Sequence, residues 1–241
     1  MKKEYWVILI AYIAMQFSSI IGIPLVYLLG SFFGYKQQEM QFSAIVIWLI
    51  FSFAITLLVV LVLLRNEIKN PMRNSPASAA SSIGWAVGGI FLSLFAQSAA
   101  SMIEGLFGVT QGSENTERLM TFVEYSPAVI LVISIIGPIL EEVVFRKIIF
   151  GTLYKRLNFF FSALISSILF AVAHNEFIHL LLYASMGFTF SYLYVKTKRI
   201  LVPIFAHVSM NTLVVVIQLN QDNVQKWMEQ SDQITKFIGG F

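Results

Sequence analysis

Long apolar runs, separated by short charged or turn-forming connections, dominate the hydropathy pattern of the chain, with no sustained strand alternation. Seven runs each come near the ~20 residues that cross a ~30 Å hydrocarbon core as a helix: 5–29, 42–64, 82–103, 127–150, 159–174, 177–195 and 200–219. The first is too long, and too rich in Tyr, Gln and Ser, for a cleaved signal peptide, and no small-residue cleavage pattern follows it, so it is expected to stay in the mature protein. The third contains Ser82, Gly84, Gly88, Gly89 and Ser93; its Gly84 and Gly88 form a small-xxx-small pair that predicts close helix packing. The longest polar connection, 104–124, is acidic on balance. Beyond the last run, Val224, Trp227, Met228, Ile234, Phe237 and Ile238 recur at helical spacing among Lys226, Glu229, Asp232 and Lys236, which predicts a short helix lying in the membrane interface. The pattern therefore predicts an all-α polytopic membrane helix bundle forming one integral domain. Within it, 1–119 supplies the amino-terminal helices and outer loop, 120–219 a four-helix core and 220–241 an amphipathic tail. There is no repeat, and the polar stretches are too short to bury a core of their own.

Composition sharpens this reading. Hydrophobic residues make up 57% of the 241 residues and charged ones 12%, against about 25% charged in soluble domains. The mean hydropathy is +0.77. The absence of cysteine excludes a disulfide scaffold. The net charge of +3 comes from basic residues set singly or in pairs at the ends of apolar runs, which argues against a nucleic-acid partner and for a lipid bilayer. With the amino terminus inside, Lys2, Lys3, Arg65, Lys69, Arg73, Arg146, Lys147, Lys155, Arg156, Lys196, Lys198 and Arg199 share one side, twelve of the 16 basic residues. The positive-inside rule then predicts a cytoplasmic amino terminus and an external carboxyl terminus.

Ionisable residues inside spans mark function, and they concentrate in the last four runs. In Pro138-Ile-Leu-Glu141-Glu142-Val-Val-Phe-Arg146, Glu142 and Arg146 stand four apart in the favourable order for a helical ion pair. Glu141 projects about 100° away from Glu142. The spacing thus predicts a structural charge at Glu142 and a general-base carboxylate at Glu141, with Gly137 and Pro138 kinking the helix beside it. Phe170 and His174, and likewise His207 and Asn211, are four-residue steps on single helix faces. A turn near 156–158 makes the fourth and fifth spans a hairpin, in which Glu141 and His174, each about sixteen residues from the turn, come level. His207 and Asn211 fall within roughly 10 Å of the same depth by the same rise. His179 lies on another face and reads as a bystander. A base, two imidazoles and a carboxamide, with no cysteine and no serine in a Gly-x-Ser-x-Gly turn, suit hydrolysis by water activated by Glu141 and His174, with His207 and Asn211 holding the oxyanion. A zinc variant would use Glu141, His174 and His207 as ligands, although the His-Glu-x-x-His spacing is missing. The competing classes are a proton- or ion-coupled transporter, and a non-catalytic membrane peptide-binding or immunity protein.

The ordered set Glu-Glu-x-x-x-Arg at 141–146, Phe-x-x-x-His at 170–174 and His-x-x-x-Asn at 207–211 resembles the CPBP family of intramembrane proteases. That family groups type II CAAX prenyl endopeptidases with bacterial proteins linked to bacteriocin processing or self-immunity. The resemblance covers about residues 120–219. It implies an intramembrane endopeptidase in a bacterial plasma membrane, acting on a membrane-associated peptide or protein precursor such as a bacteriocin or signalling peptide. It implies Glu141 and His174 as activators of water and His207 and Asn211 as the oxyanion site. It is compatible with either a metal-dependent or a metal-free glutamate mechanism.

Overall fold

The computed structural model describes residues 1–69, 76–110, 112–221 and 223. Every regular element among them is helical. The predicted interfacial helix of the carboxyl-terminal tail lies outside the described residues. Helices α1 (Lys3–Phe32) and α2 (Gln37–Lys69) form a hairpin, clasped where Trp48 Nε1 donates to Ser18 Oγ at 3.0 Å. Helix α3 (Ala79–Leu106) starts at an N-cap, Ser78, which accepts from Ser81 N–H at 3.2 Å. The connection after it is not simply polar. Glu104 belongs to α3 and is buried, and Glu114–Tyr125 forms an amphipathic helix, α4, capped by Ser113. Alternation of charged residues with Met120, Phe122 and Val123 is what folds it, since those three pack with Val46, Leu49 and Ile50 of α2.

The next helical path, α5, runs over 129–153. Where the sequence predicts a kink, the helix widens. Turns Val132–Ile136 and Glu142–Phe150 are π-helical, on either side of the α-helical Gly137–Glu141. Pro138 has no N–H to donate, and the Gly137 and Gly151 amides reach five residues back, to the carbonyls of Val132 and Arg146. Such insertions are frequent at functional sites because they re-aim side chains without ending the helix. The predicted turn follows α5, and Asn158 caps α6 (Phe159–Ala173) by accepting from Phe161 N–H at 3.1 Å. A 3₁₀ turn (Phe177–His179), α7 (Leu180–Thr197) and α8 (Leu201–Leu219) complete the bundle. Five helical stretches, among them α1, α3 and α8, are long and apolar enough to cross a membrane. With only 15 residues, α6 is about 22 Å long, short of the ~30 Å hydrocarbon core. His174 at its end therefore stops inside the slab when Asn158 starts at the boundary.

The outside of the bundle is as apolar as its inside: Phe17, Ile21, Phe91 and Phe95 are widely exposed, as a hydrocarbon solvent requires. Packing between helices then rests on small residues and internal polar groups. The close-packed face of α3 is not that of Gly84 and Gly88, beside which a Cβ would meet nothing within 4 Å. It is the face of Ser82, Gly89 and Ser93, all buried, where a Cβ on Gly89 would stand 2.7 Å from Leu193 and 3.3 Å from Ala206. Tighter still is the α6–α7 crossing, where a Cβ on Gly187 would lie 2.6 Å from Cβ and 2.9 Å from Cα of Ser167. Because that obstacle includes backbone, Gly187→Ala is expected to destabilise the protein by about 1–3 kcal/mol, whereas Gly84→Ala is neutral. Melting temperatures of the two variants in detergent check this; equal melting points would refute the packing argument.

At one end of the bundle Glu67 gathers Lys2 Nζ at 2.6 Å, Lys147 Nζ at 2.9 Å and the Tyr5 hydroxyl at 3.1 Å, tying α1, α2 and α5. The main-chain segment before α3 is fastened to the α7–α8 turn, with Arg199 Nε donating to the Ala77 carbonyl at 3.0 Å. Arg146 is a correction to the count of basic residues at the membrane boundary. It is fully buried among the helices.

Candidate active site

Glu141 and Glu142 sit where α5 passes from an α-helical to a π-helical turn, and they face different surroundings. Glu142 is completely buried. Its Oε2 lies 3.3 Å from Arg146 Nε, across one turn, and its Oε1 accepts from His207 Nδ1 at 3.0 Å. Arg146 is equally buried, and its guanidinium lies 4.2 Å from the centre of the Phe170 ring, with Phe190 at 5.5 Å and Phe145 at 5.9 Å. Its nitrogens have no hydrogen-bond acceptor, so its charge is balanced by the Glu142 carboxylate and by the electron-rich ring faces. Phe170 of the second motif is therefore one wall of a box around this cation.

Glu141 remains 18% exposed. Its Oε2 is buried without a hydrogen-bond partner and lies 3.7 Å from His207 Nε2, outside hydrogen-bond range. His207 of α8 thus stands between the two carboxylates. Phe190 stacks on it with centroids 4.7 Å apart, and Phe170 meets it edge-on at 5.9 Å. A carboxylate only accepts, so the Nδ1 facing Glu142 carries the hydrogen. His174 is fixed the same way: its Nδ1 lies 2.9 Å from the Phe170 carbonyl, so that nitrogen carries the hydrogen and Nε2 keeps its lone pair. Asn211 spends one Nδ2 hydrogen on the Ile133 carbonyl at 3.2 Å and retains a second.

Three helices, α5, α6 and α8, therefore bring together Glu141, Glu142, Arg146, Phe170, His174 and His207, with Asn211 one turn further along α8. The structure differs from the sequence reading in one respect. His207 and Asn211 are not simply two free donors on one face, since His207 is turned through Nδ1 onto Glu142. Glu142 consequently has two partners, not Arg146 alone. Among the described residues no group of three or more His, Asp or Glu side chains is placed to hold a metal ion.

Residues outside the motifs reach the same region. Tyr183 of α7 stacks on His174, with centroids 4.1 Å apart. Tyr12 of α1, buried, meets Phe145 edge-on at 5.8 Å. His179, read from the sequence as a bystander, lies 2.9 Å from Glu104 Oε2, and the other oxygen of Glu104 accepts from Leu182 N–H at 3.0 Å. Glu104 was legible by the rule that singled out Glu141, as a charge at the end of an apolar run; nothing in spacing distinguishes Tyr183 or Tyr12 from other core aromatics. Glu176 precedes α7. Burial works against its charge, but the Asn115 amide together with the Tyr183 and Ser113 hydroxyls holds its carboxyl below the usual range.

Residues 124–213 match the family described as type II CAAX prenyl endopeptidase, Rce1-like. The chain is 48% identical over 243 residues to "Putative membrane peptidase YdiL" of Bacillus subtilis, an alignment covering 100% of this chain and 99% of the relative. It is 38% identical over 187 residues to "Membrane-embedded CAAX protease MroQ" of Staphylococcus aureus, covering 72% of this chain and 75% of the relative. A shorter similarity, 36% over 81 residues, links it to "UPF0177 protein YxdF" of Lactococcus lactis. No solved structure matches the chain significantly.

Proposed function

The chain belongs to the Rce1-like family of type II CAAX prenyl endopeptidases, which makes it an integral membrane protease, and from that premise we propose that Glu141 and His174 activate the water that cleaves its substrate. The observation that carries this reading is the unpartnered, buried Glu141 Oε2, in a site whose other carboxylate is already engaged. A water there donates one hydrogen to Glu141 and the other to the Nε2 lone pair of His174. Its oxygen attacks the scissile carbonyl as its proton passes to Glu141. The resulting oxyanion is held by the second Nδ2 hydrogen of Asn211 and by His207 Nε2. With the Nδ1 hydrogen committed to Glu142, His207 makes this contact when Nε2 also carries a hydrogen. Glu141 then returns its proton to the leaving nitrogen as the C–N bond breaks.

The role that suits these residues is endoproteolysis of a membrane-associated peptide or protein precursor, such as a bacteriocin or signalling peptide. The machinery is confined to 120–219 of a single membrane unit, in a bacterial plasma membrane with the amino terminus inside and the carboxyl terminus outside. The bacterial relatives and the one-sided basic residues support this setting. The deciding experiment incubates the purified protein in liposomes with a panel of membrane peptides and identifies products by mass spectrometry. Discrete fragments that vanish in His174→Ala support the reading. Intact peptides accompanied by ion flux would sink it in favour of transport. In the same assay Asn211→Ala is expected to slow cleavage about 10²- to 10³-fold, the usual loss for one oxyanion donor; an unchanged rate would remove Asn211 from that role.

A further inference from the structure

His174 is held by more than its own motif. It is the C-cap of α6, and Asn175 follows with φ 56°, in the left-handed region, so the main chain leaves the helix beside it. Two aromatic rings then grip the imidazole: Phe170 edge-on at 4.5 Å, and Tyr183 nearly parallel, 28° between planes and 4.1 Å between centroids. Tyr183 is itself anchored, its hydroxyl donating to Glu176 Oε2 at 2.6 Å. Glu176 in turn accepts from the Ser113 hydroxyl, 2.9 Å from each oxygen, and from the Asn115 amide at 2.8 Å. Ser113 is the N-cap of α4 and accepts from Thr116 N–H at 3.0 Å. A continuous set of contacts thus joins the start of α4, through Glu176 and Tyr183, to the ring of His174.

We propose that Tyr183 is a positioning residue for His174, and that Glu176 makes this positioning depend on the docking of α4. The inference rests on the reading of His174 as the residue that orients water. For that task Nε2 must point into the site, which requires the Nδ1 hydrogen to stay on the Phe170 carbonyl. A parallel stack opposes tilting of the ring out of that plane. The Glu176 bond opposes sliding of Tyr183 away from it, and Glu176 is itself placed by backbone and side-chain donors of α4. Because α4 packs on α2 through a few apolar residues, Met120, Phe122 and Val123 among them, a ligand that displaces this helix would loosen the His174 ring.

The chain has three histidines, so histidine labelled with nitrogen-15 gives three imidazoles in detergent micelles, assigned by replacing each with glutamine. In the unaltered protein His174 is expected as one Nδ1–H tautomer. Tyr183→Leu should move its nitrogen shifts to the average of two exchanging tautomers, while those of His207 stay in place. Tyr183→Phe removes the link to α4 and Glu176→Gln weakens it by leaving a single acceptor oxygen; both keep the bundle and should give shifts in between. Unmoved His174 shifts in Tyr183→Leu would overturn the positioning role. Should that variant fail to fold, unmoved shifts in both Tyr183→Phe and Glu176→Gln would overturn it equally. Failure of the underlying reading looks different: His174→Gln would then cleave peptide at the full rate, whatever the tautomer measurements say.

Discussion

Glu141→Gln is expected to abolish cleavage while leaving the fold intact, the largest effect on turnover of any single substitution in the site. Glutamine keeps the size and polarity of the side chain but neither takes a proton from water nor returns one to the leaving nitrogen. A positioned general base contributes about 10²- to 10⁴-fold, and here one group serves both proton transfers, which places the loss at the upper end. Stability should hardly change, because Glu141 Oε2 has no hydrogen-bond partner to lose and the side chain is partly exposed. Single-turnover mass spectrometry of a cleaved membrane peptide, with a melting curve on the same sample, separates the two quantities. A variant that keeps a tenth or more of the rate would remove Glu141 as the base; one that loses activity together with folding would make it a structural group instead.

Arg146→Ala is expected to have the largest effect on stability, a loss of about 3–5 kcal/mol, the range for removing one partner of a buried ion pair. It leaves the Glu142 carboxylate at 0% exposure with His207 as its only polar contact, and it empties the box of Phe145, Phe170 and Phe190. The pair itself need not favour folding over an apolar alternative, since desolvation of both ions offsets their attraction. Arg146→Met combined with Glu142→Leu should therefore recover most of the stability. It should not recover activity, because His207 then has nothing at Nδ1 to hold its ring. Melting temperatures and cleavage rates of the two single variants and the double test this. Recovery of cleavage by the double variant would show that Glu142 has no bearing on His207, and equal stability of Arg146→Ala and the unaltered protein would show that the buried charge is not balanced by the ion pair.

Spacing along the chain determined the helical class, the bounds of most apolar helices to within a few residues, the Asn158-capped turn between α5 and α6, and the approach of Arg146 to Glu142. Each follows from helix geometry within one segment, or from the length needed to cross hydrocarbon, and neither quantity depends on what packs nearby. Tertiary structure decided the rest. The contact of His207 with Glu142 links positions 65 residues apart, and it depends on how α8 is rotated against α5. The close approach through Gly89 instead of Gly84 and Gly88 depends on where Leu193 and Ala206 arrive, and the stack of Tyr183 on His174 on the crossing of α6 and α7. Hydropathy is silent on these choices, because in a bilayer the outward and inward faces of a helix are both apolar, so the pattern that marks a span does not say which of its faces meets the site.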